Sequence, residues 1–402
     1  MGTTFESIFR SAFAIIEEIE QHGGEAYIVG GSVRDYLSGS EVGDIDIASS
    51  EPPERIQEIF EKVIPVGIEH GTVLVRYGGE SYEITTYRTE KGYQDYRHPD
   101  EVTFVRDINE DLARRDFTMN AIAMDRYGQI VDPYKGRKAI ENKEINAVGN
   151  PTERFQEDPL RMMRAVRFAS QLNFFIESRT KLSILKQAEL LSHISIERIA
   201  EETIKLYKGK GFKLGLKLIT DLGLKPYLPQ LNKIDLIKTI PYISLQTWPE
   251  VIAYYTSEYS EAGVKEWVKG WKLSKRSQRN AEALLEGLLE YERNSKLTPW
   301  LLYQLPSHLY PSFARLIRAR TKMDDHILQK IEKEILHLPI QARKDLAFQP
   351  KDLLLLYPDH PKGPWISETM EKLEYAVVTS VVPNEFEKIK EWVSKWNPPA
   401  NS

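Results

Sequence analysis

The stretch "GGSVRDYLSGSEVGDIDIASS", residues 30–50, decides how the first third of the chain folds. It follows "EAYIV", a short apolar run with strand character, so the glycines close a strand and "SVRDYLSG" opens a helix. "DIDIAS" then reads as a second strand, on which residues two apart share a face. Asp44 and Asp46 therefore present paired carboxylates, while Ile45 and Ile47 turn towards a core. Two carboxylates so close raise one another's pKa unless a cation neutralises them. Mg²⁺ is held in this way, by one or two carboxylates completed by substrate phosphate oxygens. A solvated acidic pair on an edge strand has the same pattern.

Gly30 and Gly31 precede a helix for which Ser32 is the predicted N-cap. Backbone N–H groups at a helix start attract anions, and glycine lets a phosphate approach the main chain. Strand-Gly-Gly-helix turns also occur as plain punctuation. Taken together, a phosphate cradle and a carboxylate pair on neighbouring elements suit nucleotidyl transfer from a nucleoside triphosphate.

Outward from this stretch, the chain alternates helix and strand. An amphipathic helix precedes it, and "PPERIQEIFEKV" (52–63) reads as a helix with Pro53 in its first turn. "GTVLVRYGGESYEITTYR" (71–88) reads as a hairpin turning at Gly78-Gly79, and polar residues 89–101 as a loop. A helix is expected around "DLARRDFTMNAIAM" (111–124) and a short hairpin at "DRYGQIVD" (125–132). Beyond residue 140 strand signals nearly vanish and helical periodicity takes over. The predicted fold class is α+β, a mixed α/β head followed by an elongated all-α neck, body and tail. Boundaries are expected at 1–139, 140–208, 209–295 and 296–402.

Composition sets the limits. The chain has 402 residues, 28% of them charged, a net charge of −5 and no cysteine, which excludes disulfides, thiolate catalysis and zinc-thiolate sites. No apolar run nears the roughly 20 residues needed to span a bilayer. The acidic residues in the first helix make a secretion signal an unsuitable reading, so a cytoplasmic location is expected. An acidic total argues against indiscriminate coating of nucleic acid but leaves room for local basic faces.

Several motifs in order carry a family resemblance. "GGSVRDYLSGSEVGDIDIA" resembles motif A of the class II tRNA nucleotidyltransferases, the CCA-adding enzymes of the polymerase-β superfamily. "DLARRDFTMNAIA" resembles motif B, "VDPYKGRKAIENKEI" a diverged motif C, "RFQEDPLRMMRAVRF" motif D and "SIERIAEETIKLY" motif E. "KGPWISETMEKLEYAVVTSVVPNEFEKIKEWV" is similar to the C-terminal region of the bacterial members. Lys138-Ala139 replace the acidic residue and leucine usual in motif C, so no role is carried over there.

The resemblance implies addition of C, C and A to the 3′ end of tRNA from CTP and ATP, without a nucleic-acid template, with release of pyrophosphate. It implies that Asp44 and Asp46 hold two Mg²⁺ ions, and Glu83 is the candidate third carboxylate. Arg115 and Asp116 correspond to residues that contact phosphate and the ribose 2′-hydroxyl. Gly30, Gly31, Ser32, Arg34 and Asn120 complete the expected nucleotide-binding set of the head. The partner is tRNA, with neither DNA nor membrane expected.

"EDPLR" bears on base choice. An aspartate only accepts hydrogen bonds and an arginine only donates. Cytosine and adenine each offer an amino donor beside a ring-nitrogen acceptor, matching Asp158 and Arg161, which are three residues apart and share a face if both belong to a helix. Guanine and uracil offer the reverse order and would leave buried polar groups unpaired, at about 1–3 kcal/mol each. Pro159 would equally suit a helix start, making Asp158 a simple cap and Glu157 a partner for Arg161. The resemblance favours the base-reading role, with Arg164 on the same face meeting phosphate or supporting the pair. Residues 89–101 resemble the family's flexible loop, whose full length favours complete CCA addition.

Basic runs at "KLYKGKGFKLGLKL", "VKGWKLSKRSQRN" and "FARLIRARTKM" (with Arg315, Arg318, Arg320 and Lys322) are expected to grip tRNA collectively, through phosphates and without reading sequence. Rival readings are a CC- or A-adding relative, a bacterial poly(A) polymerase, and a non-catalytic RNA-binding protein that kept the fold.

Overall fold

The computed structural model describes residues 5–97, 99–259, 261–321 and 326–395. Lys322, named above among the basic residues, lies outside them. The chain divides into two compact units, residues 1–240 and 241–402.

The first unit begins with α1 (Phe5–Gln21), whose Phe9, Ala12, Ile16 and Ile19 recur every three or four residues and are fully buried. Next come β1 (Ala26–Val29), α2 (Gly31–Leu37), β2 (Asp46–Ser49), α3 (Pro53–Ile59) and β3 (Val63–Gly67). β4 (Thr72–Tyr77), β5 (Glu80–Thr86), β6 (Arg88–Lys91), β7 (Glu101–Phe104) and α4 (Ile108–Ala113) follow. β8 (Ala123–Met124) and β9 (Ile130–Val131) close a seven-stranded sheet in the order β3-β4-β5-β2-β1-β8-β9. Only the β2–β5 pairing in it is parallel.

Strand register explains how this sheet serves two purposes. Ile28, Ile47, Ile84 and Val73 stand side by side across four strands, each no more than 1% exposed. Burying each such side chain is worth about 1.5–3 kcal/mol, so this face is the core. One residue along, Val29, Asp46, Glu83, Leu74 and Ile64 form a row that points the opposite way. The carboxylates thus sit on the sheet's other face.

Several expectations are corrected here. Helix 52–63 stops at Ile59 because Phe60 turns extended and is buried, and residues 63–67 instead form an edge strand. Helix 111–124 ends at Ala113. Phe117, fully buried in extended conformation, is followed by a single 3-10 turn over Thr118–Asn120 and then β8. The 89–101 loop is shorter than predicted, since its flanks zip together as β6 and β7 from Arg88↔Phe104 to Lys91↔Glu101. Asp44 precedes β2 and does not belong to the strand.

After α5 (Gly136–Glu141) and β10 (Glu144–Ile145) come α6 (Pro151–Glu157), α7 (Leu160–Leu172), β11 (Phe175–Ile176), α8 (Ser178–Gln187), α9 (Ile196–Lys208) and α10 (Phe212–Asp221). The two short strands pair with each other in parallel. At "GKG", a Cβ on Gly209 would fall 2.6 Å from the Ser170 carbonyl oxygen, so glycine is required for α7 and the end of α9 to touch.

The second unit is wholly helical among the described residues: α11 (Trp248–Glu258), α12 (Val264–Gly270), α13 (Lys275–Asn294), α14 (Pro299–Gln304), α15 (Tyr310–Arg320), α16 (Ile327–Ile335), α17 (Pro350–Leu356), α18 (Trp365–Val378) and α19 (Phe386–Ser394). Two arginines expected to face tRNA are engaged within it. Arg315 Nε donates to Glu250, a fully buried carboxylate, at 3.2 Å. Arg320 bridges Glu258 and Glu292.

Candidate active site

A cavity of about 800 Å³ opens on the carboxylate face of the sheet. Asp44, Asp46 and Glu83 line one side, and Asp158, Arg161 and Arg164 from α7 and the turn before it line another. Gly30, Gly31, Arg34, Arg115, Asp116 and Asn120 complete the lining, so all but one of the residues expected from sequence meet here.

The exception is Ser32. Gly30, with φ +72°, is the residue that caps α2, so the helix starts earlier than Ser32. The Ser32 hydroxyl donates instead to the Val29 carbonyl at 3.2 Å, and the side chain is buried away from the cavity. Gly30 is required twice over. Its φ lies in the left-handed region, and an added Cβ would come 2.9 Å from the Arg115 guanidinium.

Asp46 stands directly across from Glu83 in the parallel β2–β5 register. Burial, then the neighbouring Glu83 charge, push the Asp46 carboxyl up to about 6, with Arg115 opposing and Asp44 adding to the rise. A site under such negative stress fits a cation. Among the described residues no three acidic or imidazole groups draw together as a complete ligand set. The pair suits an ion whose remaining ligands are water and phosphate oxygens.

A polar chain forms the floor. Arg34 Nη1 donates to Asn120 Oδ1 at 2.7 Å, and Asn120 Nδ2 donates to Asp116 Oδ1 at 3.0 Å. Arg164 grips Asp116 Oδ2 through Nε at 2.8 Å and Nη2 at 2.5 Å. Burial alone would raise the Asp116 carboxyl, but Arg164 and these hydrogen bonds overcome it and hold it at about 2. Arg115 is anchored by Asp111 at 3.1 Å, while its Nε is buried with no partner among the described residues, a donor available to a ligand.

Asp158 acts as a cap and also faces the cavity. It lies between α6 and α7, accepts the Leu160 N–H at 3.0 Å as a cap would, and still lines the cavity. It is not on a helical face with Arg161, as the spacing had suggested. Its Oδ2 accepts from Arg198 Nη2 at 2.8 Å, while Arg161 Nη1 donates to Glu157 at 2.5 Å. The two side chains are each held by an internal partner.

Sequence reasoning missed Arg88, Glu90, Arg167, Phe168, Arg198 and Lys205 as lining residues. Arg34, Arg164 and Arg167 all lie over the Phe168 ring, at 5.2, 5.5 and 3.7 Å from its centroid. Arg164, Arg167 and Phe168 share motif D, and Arg198 sits in motif E, so the signal was present as motif membership. Nine cationic side chains against six carboxylates line the cavity. In a chain of net charge −5, that local excess suits a polyphosphate.

Comparison with known proteins bears on this arrangement. Residues 26–146 match the model of the poly A polymerase head domain. Residues 173–234 match the probable RNA and SrmB-binding site of polymerase A, and 244–393 a putative tRNA nucleotidyltransferase domain 2. A CCA-adding enzyme of Anoxybacillus flavithermus is 46% identical over 96% of both chains, and one of Oceanobacillus iheyensis 41% identical over 96% of this chain and 97% of its own. Among solved structures, the Bacillus stearothermophilus CCA-adding enzyme in complex with CTP superposes with a TM-score of 0.88. It is 39% identical over 96% of this chain and 97% of its own.

Proposed function

This chain belongs to the CCA-adding enzymes, which complete the 3′ end of tRNA, and on that premise we propose how its own residues divide the work. The observation that supports the proposal is that Asp44, Asp46 and Glu83 share one cavity with Asp158 and Arg161. Asp44 and Asp46 hold two Mg²⁺ ions, with Glu83 beside them. When bound, the metal supplies Lewis acidity that lowers the pKa of the tRNA 3′-hydroxyl and stabilises the departing pyrophosphate.

The chain's remaining groups bind and orient. Gly30 and Gly31 allow the triphosphate close to the backbone, and Arg34 and the unpartnered Nε of Arg115 donate to it. Asp116, kept ionised, accepts from the ribose hydroxyls, and Asn120 fixes its position. Asp158 accepts from the exocyclic amino group of C or A and Arg161 donates to the adjacent ring nitrogen, so CTP and ATP bind and UTP and GTP do not. For this, Asp158 must loosen from Arg198 and Arg161 from Glu157. The short loop between β6 and β7 is the part that adjusts when the choice passes from C to A.

Segment 1–139 performs transfer, 140–208 selects the nucleotide, and 209–295 with 296–402 grip tRNA through phosphates. We place the enzyme in the cytoplasm, where CTP, ATP and tRNA are found; among the described residues no helix is long and apolar enough to cross a membrane. The test is Asp44→Ala and Asp46→Ala. Each abolishes incorporation of C and A while tRNA affinity stays within about twofold, because the tRNA grip lies elsewhere. Activity surviving both substitutions sinks the metal assignment.

A further inference from the structure

The cross-strand row that holds the carboxylates does not end at them. From Asp46 it passes through Glu83 to Leu74 on β4 and Ile64 on β3, the outermost strand. Leu74 is half-buried and Ile64 is 45% exposed, whereas Val73 and Val75 on the reverse face of β4 are fully buried. One row further, the Arg76 N–H donates to the Lys62 carbonyl at 2.9 Å. Arg76 and Lys62 are each two residues from Leu74 and Ile64, so they share that face. The outer two strands thus present two aliphatic side chains flanked by two cations, in line with the reacting carboxylates.

Two substrates must converge on Asp46. The groups that bind nucleotide come from α2, the segment after α4, and α7, and these belong to the β1 side of the sheet or to the helices after it. The β4–β3 side lies on the opposite flank of the carboxylates. We propose that this flank is the track for the single-stranded 3′ end of the tRNA. Its bases rest on Leu74 and Ile64 and its phosphates meet Arg76 and Lys62, which brings the terminal hydroxyl to Asp46. The inference rests on Asp44 and Asp46 being the reacting site.

Chemistry and size agree with that occupant. Unpaired bases offer apolar faces, and a track that serves every tRNA must take them without reading their edges. Asp46 to Ile64 spans three strand spacings, about 14 Å at roughly 4.8 Å each. At about 3.4 Å per stacked nucleotide, this accommodates about four, enough for the growing end and the nucleotide before it. Another β-strand is a poor occupant, since Pro65 in the middle of β3 lacks an N–H and the ladder is bulged between Pro65 and Gly67.

The experiment uses the full-length enzyme and a tRNA ending in its first C, with a photoreactive thiopyrimidine at that position. Cross-links are expected on residues 62–76. In steady-state assays Ile64→Ser and Arg76→Ser, both at exposed positions, each raise KM for tRNA about fivefold or more. KM for CTP and ATP and the order of addition stay as in the parent enzyme. Cross-links confined to other segments, with KM for tRNA unchanged in both variants, overturn the track and leave the active-site reading intact. A parent enzyme that adds neither C nor A overturns both.

Discussion

Arg161, on the helix that follows "EDP", donates Nη2 to the backbone carbonyl of Arg114 at 3.2 Å. The same guanidinium meets Glu157 and the Arg154 carbonyl through Nη1. One side chain therefore ties the helix proposed to choose the base to the backbone next to Arg115, which is proposed to hold phosphate. Arg161→Ala removes the donor that base choice requires, while Glu157 keeps Arg154 Nη1 as a partner at 3.0 Å. Incorporation of UTP and GTP relative to CTP rises about 10-fold or more, since one misplaced buried polar group costs about 1–3 kcal/mol. Single-nucleotide incorporation with each of the four triphosphates measures this.

Asp116 supplies the pH dependence. Its carboxyl is held at about 2 in the folded chain, below the ordinary value of 3.8. A depressed acid contributes stability that is fully present above the unfolded pKa and is lost as pH falls through the folded one. The contribution is about 2 kcal/mol at neutral pH, at roughly 1.4 kcal/mol per unit. Urea unfolding of Asp116→Asn is therefore expected to show a deficit at pH 7 that shrinks between pH 4 and pH 2. A deficit independent of pH across that window excludes the charge as its cause.

Gly30 and Gly39 offer a matched pair. Both have φ near +70°, but an added Cβ at Gly39 meets nothing within 4 Å among the described residues, while at Gly30 it meets Arg115. Each alanine substitution costs about 1–2 kcal/mol of stability for the left-handed backbone. Gly30→Ala alone also displaces Arg115, so it lowers kcat at least about 10-fold, the loss of roughly one charge-assisted hydrogen bond. Equal kcat in the two variants contradicts the close approach.

Arg315 tests which arginines of the helical unit are structural. Its partner Glu250 is fully buried. Arg315→Ala takes the cation from that buried carboxylate, which keeps the Gln246 N–H at 2.7 Å, and costs about 3–5 kcal/mol of stability. Thermal melts register this as a large drop, while tRNA affinity of the folded fraction changes little.

How much of this was legible in the sequence depended on whether a residue's role was set locally. Asp46 and Ile47 sort to opposite faces by the two-residue strand period alone, and the sheet register places them as expected. Asp158 was readable both as a cap and as a cavity residue, and it is both. Ser32 misled because serine before a helical run ordinarily caps, whereas Gly30 in the left-handed region had already started the turn. β3 went unread beyond Val63, which closed the predicted helix, because "VIPVG" is apolar apart from its glycine and carries Pro65, so no alternation of buried and polar residues marked it. The Asp158–Arg198 pair joins residues 40 apart, and no local pattern announces such a contact.

The most direct measurement offers tRNA lacking its 3′ terminus to the enzyme with CTP alone, with ATP alone, and with both. Addition of two C residues from CTP, then one A that ends the reaction, with no addition of UTP or GTP, is the result this account predicts. A long A tail, arrest after the second C despite ATP, or binding without any addition would contradict it.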